Sequence, residues 1–261
     1  DGNIAGAQTS TLSIQSVMGA DAGAYSVVLS NALGVVTSAV APLLVNVNPI
    51  ISTQAVGGLA VDTSGNVYVA EPGLNDVRVY SPAGGVLRVI GTTGTGAGQL
   101  RGPTDVAVFG GSVYVVDCMN ERVQQFTTSG TFVQTIGGPG RSAGAFALPN
   151  GCATDGSGRL YVADSGNHRV QRFLANGSLD SSWGGLGVVG LGVLRRDHTG
   201  FDCPSDVAIN PVNQQVYVAD YGNCRLEVFD TAGTYIRTYY AIYHPAALSF
   251  AANGDLFIAG D

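Results

Sequence analysis

The chain has 261 residues, of which 45% are apolar, 12% are charged and 38 are glycine, a mix too apolar for a disordered chain and too glycine-rich for a helical one. The net charge is −7 and, with no lysine in the chain, every formal positive charge is an arginine; this excludes Schiff-base and P-loop lysine chemistry and leaves no basic stripe for nucleic acid. No run of 18 apolar residues occurs, so no membrane insertion is expected.

In chain order, residues 9–46 come first. They contain "DAGAY", the alternating "SVVLSN", a glycine turn and "VVTSAVAPLLV". This stretch resembles the last strands of an immunoglobulin-like domain of the bacterial or algal type. Tyr25 stands at the tyrosine-corner position, with Asp21 and Gly23 in the turn before it. Val27 occupies the place of the second intersheet cysteine. The expectation is a partial sandwich over 1–46 and a linker over 47–56.

From residue 57 the chain repeats itself. The element "(V/L)-Y-V-(A/V)-(D/E)" recurs at Tyr68, Tyr114, Tyr161 and Tyr217, and "LFIAGD" carries Phe257 in the same place, at spacings of 46, 47, 56 and 40 residues. A period in the forties with several alternating strands per unit predicts a β-propeller, one four-stranded blade per repeat. In the third unit the four strands are expected at "GCATD", "RLYVAD", "HRVQRFLA" and "LDSSWGG", with Asn-Gly marking a hairpin. The fold class is therefore all-β: four recognisable units and the first half of a fifth over 57–261, expected to belong to a six-bladed ring whose missing strands, like those of the sandwich, come from flanking polypeptide.

The repeated residues resemble the NHL family. Pro103, Pro149, Pro204 and Pro245 open the first strand, and Asp117, Asp164 and Asp220 close the second. An Asn and an Arg follow in the turn (Asn120 and Arg122, Asn167 and Arg169, Asn223 and Arg225), and an aromatic comes next (Tyr80, Phe126, Phe173, Phe229). The first unit departs: Glu71, Leu74 and Asp76 replace the Asp, Asn and Arg. Because one blade cannot bury its faces alone, the repeated residues read as scaffold, and activity should lie in what does not repeat.

Four cysteines without a C-x-x-C pair argue against a zinc knuckle and for disulfides. Cys118 and Cys152, and Cys203 and Cys224, share one propeller face, which favours these pairs among three connectivities; free thiols are the alternative. The "C-P…D-Y-G-N-C-R" arrangement also resembles a propeller disulfide of peptidylglycine amidating lyases. That resemblance implies a zinc held by axial histidines. His168, His198 and His244 occupy three unrelated blade positions, so no such cofactor is expected. Asp105 and Asp206, two residues after their prolines, are weak metal candidates of the lactonase kind; strand-entry capping is their ordinary role. Asn176-Gly177-Ser178 is a glycosylation sequon at a hairpin tip, meaningful in a secreted eukaryotic protein. Segment 186–202, with Arg195, Arg196 and His198, is a long non-repeated loop and the expected interaction element.

These features point to a non-enzymatic extracellular or cell-surface protein. The propeller would be a rigid platform for protein partners, neighbouring copies or glycans within a filament, appendage or adhesive chain. The rival is a secreted metal-dependent propeller enzyme, amidating-lyase-like or lactonase-like.

Overall fold

The computed structural model describes residues 57–184, 189, 200–240 and 242–260 with their side chains, and Val188 and six short strands near the N-terminus as backbone. Two compact units result, Asp1–Ile50 with Ala83–Gly85, and the remainder. In the first, β1 (Ile4–Ala5) pairs with β2 (Ser13–Ile14), β3 (Gly23–Tyr25) with β6 (Ala41–Leu43), and β4 (Val28–Asn31) with β5 (Gly34–Thr37) as a hairpin. The side chains of Tyr25 and Val27, on which the immunoglobulin-like reading turns, lie outside the described residues, as do residues 47–56.

The second unit is a series of antiparallel blades. Blade 1 is β7 (Leu59–Val61), β8 (Val67–Glu71), β9 (Asp76–Tyr80) and β10 (Val86–Ile90). A short parallel pair follows, β11 (Thr92–Thr93) with β12 (Gln99–Leu100). Blade 2 is β13 (Pro103–Phe109), β14 (Ser112–Asp117), β15 (Arg122–Thr127) and β16 (Phe132–Ile136). Blade 3 is β17 (Pro149–Thr154), β18 (Leu160–Asp164), β19 (Arg169–Phe173) and β20 (Val188–Val189). Blade 4 is β21 (Pro204–Ile209), β22 (Val216–Asp220), β23 (Arg225–Phe229) and β24 (Tyr235–Tyr239). Blade 5 contributes β25 (Pro245–Phe250) and β26 (Leu256–Gly260).

Continuous apolar runs in the second strands explain the layering. The second strands of blades 2, 3 and 4 are buried on both faces, as "LYVAD" of β18 and "VYVAD" of β22 are throughout, because blades stack on either side of them; β26 of blade 5 is mostly exposed. Tyr68, Val79, Ile90, Val106, Val115 and Phe126 form the core between blades 1 and 2, and Tyr161, Trp183, Phe201, Val207, Val218 and Phe229 that between blades 3 and 4. The first strands of successive blades pack side by side around the axis.

One strand is placed differently from the sequence reading. The fourth strand of blade 3 is Val188–Val189, paired with Val170 and Gln171, not "LDSSWGG". After a single bridge between Phe173 and Leu179, the Asp180 carboxylate accepts the Ser182 N–H (3.2 Å) and hydroxyl (2.6 Å) and pairs with Arg172 at 2.7 Å. Those bonds bend the chain into a turn that drives Trp183 into the core, its ring 5.2 Å from that of Tyr161 and edge-on to it.

Candidate functional site

The repeated Asp, Asn and Arg form one cluster per blade. In blade 3 the Asp164 Oδ1 accepts the Ala147 N–H at 2.8 Å. Its Oδ2 accepts from Asn167 (2.9 Å), Arg169 Nε (2.7 Å) and Gln171 (3.0 Å). Arg169 then donates onward to the carbonyls of Arg141, Ser142 and Ala145. Asp117 repeats the pattern with Arg101 N–H, Asn120 and Arg122, and Asp220 with Asp202 N–H, Asn223 and Arg225. Each cluster thus ties the tight turn between second and third strands to the connection arriving from the previous blade. Burial pushes the Asp164 and Asp220 carboxyls up against the pull of these donors. The turn itself is a single 3-10 turn closed by a left-handed residue, Glu121, His168 or Cys224.

Blade 1 ties its loop otherwise. Asn75 takes the left-handed position at φ 57°, and its Oδ1 accepts the Gly102 N–H of blade 2 at 2.7 Å. Glu71 is fully buried, and neither carboxylate oxygen has a hydrogen-bond partner among the described residues. Burial pushes its carboxyl up.

The first strands line an axial cavity of about 650 Å³, with Asp105, Cys152, Asp206, Leu248 and Phe257 on its wall. Asp105 accepts the Val106 N–H at Oδ1 (2.8 Å) and reaches across to the Cys152 N–H of blade 3 with Oδ2 (2.6 Å). Asp206 does the same with Val207 (2.7 Å) and with Leu248 of blade 5 (2.7 Å). Gly58 and Gly151 hold the equivalent places in blades 1 and 3. A Cβ on Gly58 would fall 1.6 Å from Asp105 Oδ1, and one on Gly151 2.2 Å from Asp206 Oδ1. Burial pushes Asp105 up to about 7, and burial together with the Asp105 charge raises Asp206 well above the carboxylate range. The Cys152 thiol is raised by burial and by both carboxylates, so it stays protonated at neutral pH. Chemically this is a proton-holding acidic wall in an apolar cavity.

All four cysteines are free thiols, so neither Cys118–Cys152 nor Cys203–Cys224 is bridged. For the first pair the cause is position: Cys152 lies in the axial strand with its thiol hydrogen-bonded to Asp105, whereas Cys118 sits in the turn after β14. For the second, the Cys203 thiol is engaged by the Asp202 carboxylate. His168 Nδ1 accepts the Cys203 N–H at 3.1 Å, while His244 stacks on Tyr221 at 4.7 Å; neither lines the axial cavity. Asn176 is exposed at its hairpin tip, where its side-chain oxygen accepts from Ser178 N–H and hydroxyl. Arg195, Arg196 and His198 lie outside the described residues. The sequence reading missed Asp202, which the seam between blades 3 and 4 brings beside His168; its place two residues before Pro204 was the available signal.

With this geometry in view, the family comparison is decisive for the repeats: residues 100–126, 146–173 and 201–229 match the NHL repeat model. Blades 2, 3 and 4 are NHL repeats. The matched spans run from the approach to the first strand through the third, and so include each Asp, Asn and Arg cluster. Over 108 residues, 37% of this chain, the sequence is 36% identical to peptidyl-glycine alpha-amidating monooxygenase of Mus musculus, and equally to that of Rattus norvegicus. The chain spans about a tenth of those relatives' length (11%). Among solved structures, the nidogen/laminin complex matches with a TM-score of 0.60 at 18% identity, over 79% of this chain and 72% of that one. Virginiamycin B lyase of Staphylococcus aureus matches at 0.59 and 11%, over 82% and 66%. A streptogramin B lyase matches at 0.58 and 12%, over 96% and 80%. At these identities the NHL blades share a propeller fold with them and no more.

Proposed function

We propose that this NHL propeller is a non-enzymatic interaction platform in an extracellular or cell-surface protein, presenting one loop face to protein partners or neighbouring copies. The observation that carries the reading is how that face is used. Its repeated polar side chains are consumed by internal hydrogen bonds, while non-repeated Met119, Leu148 and Tyr243 project from it at 66%, 58% and 66% exposure. Arg101 and the stacked Tyr221–His244 pair lie on the same side. Met, Tyr and Arg are the residues that protein interfaces favour. A chain of the nidogen/laminin complex shares the propeller fold, which agrees with such a role.

A second reading, an amidating-lyase-like enzyme, is favoured by the 36% identity to the amidating monooxygenases and by the acidic axial cavity. One experiment separates the two. The chain is secreted from cultured cells, and its self-association and cross-linking to extracellular protein are measured beside amidation of a glycine-extended peptide. Met119→Ser with Tyr243→Ser is compared with Val212→Ser, at an exposed site on the opposite face. Association lost only in the double variant, without turnover in any form, supports the platform; turnover abolished by Asp105→Ala overturns it.

A further inference from the structure

We propose that the seam between blades 3 and 4 binds a zinc-type divalent cation through His168, Asp202 and Cys203. The seam assembles these residues from two directions. His168 is the left-handed residue, φ 52°, that closes the turn after β18. Asp202 and Cys203 directly precede Pro204, which opens β21. The Cys203 N–H donates to His168 Nδ1 at 3.1 Å, and the Asp202 carboxylate lies 3.9 Å from the same nitrogen. One ligand atom from each residue lies within 4.8 Å of the other two.

The backbone holds Asp202 in place from both sides. Its N–H donates to the buried Asp220 carboxylate at 2.7 Å, and its C=O accepts the Gly222 N–H at 2.8 Å. Gly222 is required there, since a Cβ would stand 2.4 Å from Asp202 Cγ. The His168 and Asp202 side chains are 26% and 30% exposed, so an ion can arrive from solvent and keep a water as its fourth ligand.

The seam between blades 3 and 4 differs chemically from the one between blades 1 and 2. Between blades 1 and 2, Asn75 accepts the Gly102 N–H, the counterpart of His168 accepting from Cys203. An amide and a glycine complete that link without offering a ligand set. At the blade 3/4 seam the same link is made by an imidazole and a cysteine, with a carboxylate added. Nitrogen, oxygen and sulfur together suit zinc or its cobalt substitute and do not suit calcium or magnesium. Metal bonds of about 2.0–2.3 Å place tetrahedral ligand atoms about 3.3–3.8 Å apart, so binding closes the cluster by about 1 Å through side-chain rotations, in which either the ion takes the Nδ1 lone pair and the Cys203 N–H is released, or the ring turns Nε2 to the ion.

The test is a Co2+ titration of the reduced chain, followed by Zn2+ competition. The expected result is one Co2+ per chain, with a thiolate-to-metal charge-transfer band in the near ultraviolet that stoichiometric Zn2+ removes. Cys203→Ser should lose the band. His168→Asn, which restores the Asn75-type link and so spares the fold, should weaken binding at least tenfold. Cys118→Ser and Cys152→Ser should change neither. A band that survives Cys203→Ser overturns the proposal. So does a non-reduced peptide map of the secreted chain showing Cys203 joined to Cys224, since that thiol would then be unavailable.

Discussion

Replacing Asp164 by Asn removes one charge and keeps the shape of a fully buried side chain, and its cost can be worked from the bonds around it. Four donors converge on the carboxylate: Ala147 N–H on Oδ1, and Asn167, Arg169 and Gln171 on Oδ2. If the Asn carbonyl keeps the three donors at Oδ2, its NH2 faces the Ala147 N–H, and one buried donor goes unsatisfied at about 1–3 kcal/mol. The Arg169 charge, 8% exposed, also loses its partner, and breaking a buried pair from one side costs about 3–5 kcal/mol in all. For a unit of this size that lowers Tm by about 6–20 °C. Burial raises the Asp164 carboxyl despite its donors, so the pair is no great gain over apolar filling; the penalty comes from stranding one member. A double-mutant cycle with Arg169→Met should therefore show a coupling of about 2 kcal/mol. Urea unfolding of the four proteins supplies the numbers, and amide exchange at Ser142–Ala145 reports the local effect. A single-variant loss below about 1 kcal/mol, or additive losses, would mean that Asp164 and Arg169 are not a coupled buried pair.

Glu71→Gln in blade 1 should go the other way, between no change and a gain of about 1 kcal/mol at pH 7, because that carboxylate is desolvated without described partners; a clear loss in urea unfolding would contradict this. Stability should fall as pH rises from about 4 to 7. Asp105 titrates near 7 when folded and near 3.9 unfolded, so the native state binds the extra proton and its advantage is lost across that window, by about 2–4 kcal/mol. Asp206 adds to the slope with the same sign, and Asp105→Asn should flatten it; unfolding midpoints at pH 5 and 8 decide. Trp183→Ala should cost about 3–5 kcal/mol, since a fully buried indole is removed from between Tyr161 and Arg172. Trp183 is the only tryptophan of the chain, so the wild-type fluorescence shift on denaturation should coincide with loss of the β-sheet circular dichroism signal. Gly151→Ala should destabilise, its Cβ colliding with Asp206 at Oδ1 and Cα; an unchanged Tm would count against the axial packing.

The propeller was legible because its blades obey local rules repeated in register: the apolar runs "LYVAD" and "VYVAD", a turn after each Asp, and a Pro opening the inner strand of blades 2 to 5. The hydrogen-bonded cluster was readable for the same reason, as Asp, Asn and Arg recur at fixed offsets within one blade. What could not be read lies between blades. Nothing local to Cys152 tells that its thiol meets Asp105, 47 positions earlier, and a shared face was taken for a shared bond with Cys118. The fourth strand of blade 3 was displaced because Asp180 and Ser182 have a stronger local preference for a turn than "LDSSWGG" has for a strand. Asp202 became visible only once the seam set it against His168.

Around the axis the five equivalent positions read Gly58, Asp105, Gly151, Asp206, Ala247. Small and acidic residues alternate because each carboxylate needs room on the blade before it and a backbone donor on the blade after it. The natural unit of this array is therefore a pair of blades rather than one. Gain or loss of a single blade by recombination would set two carboxylates side by side or leave two gaps adjoining, whereas exchange of a two-blade cassette would leave every clasp with its socket. Module-swapping experiments, and the history of such rings, should show steps of two where the clasp is kept.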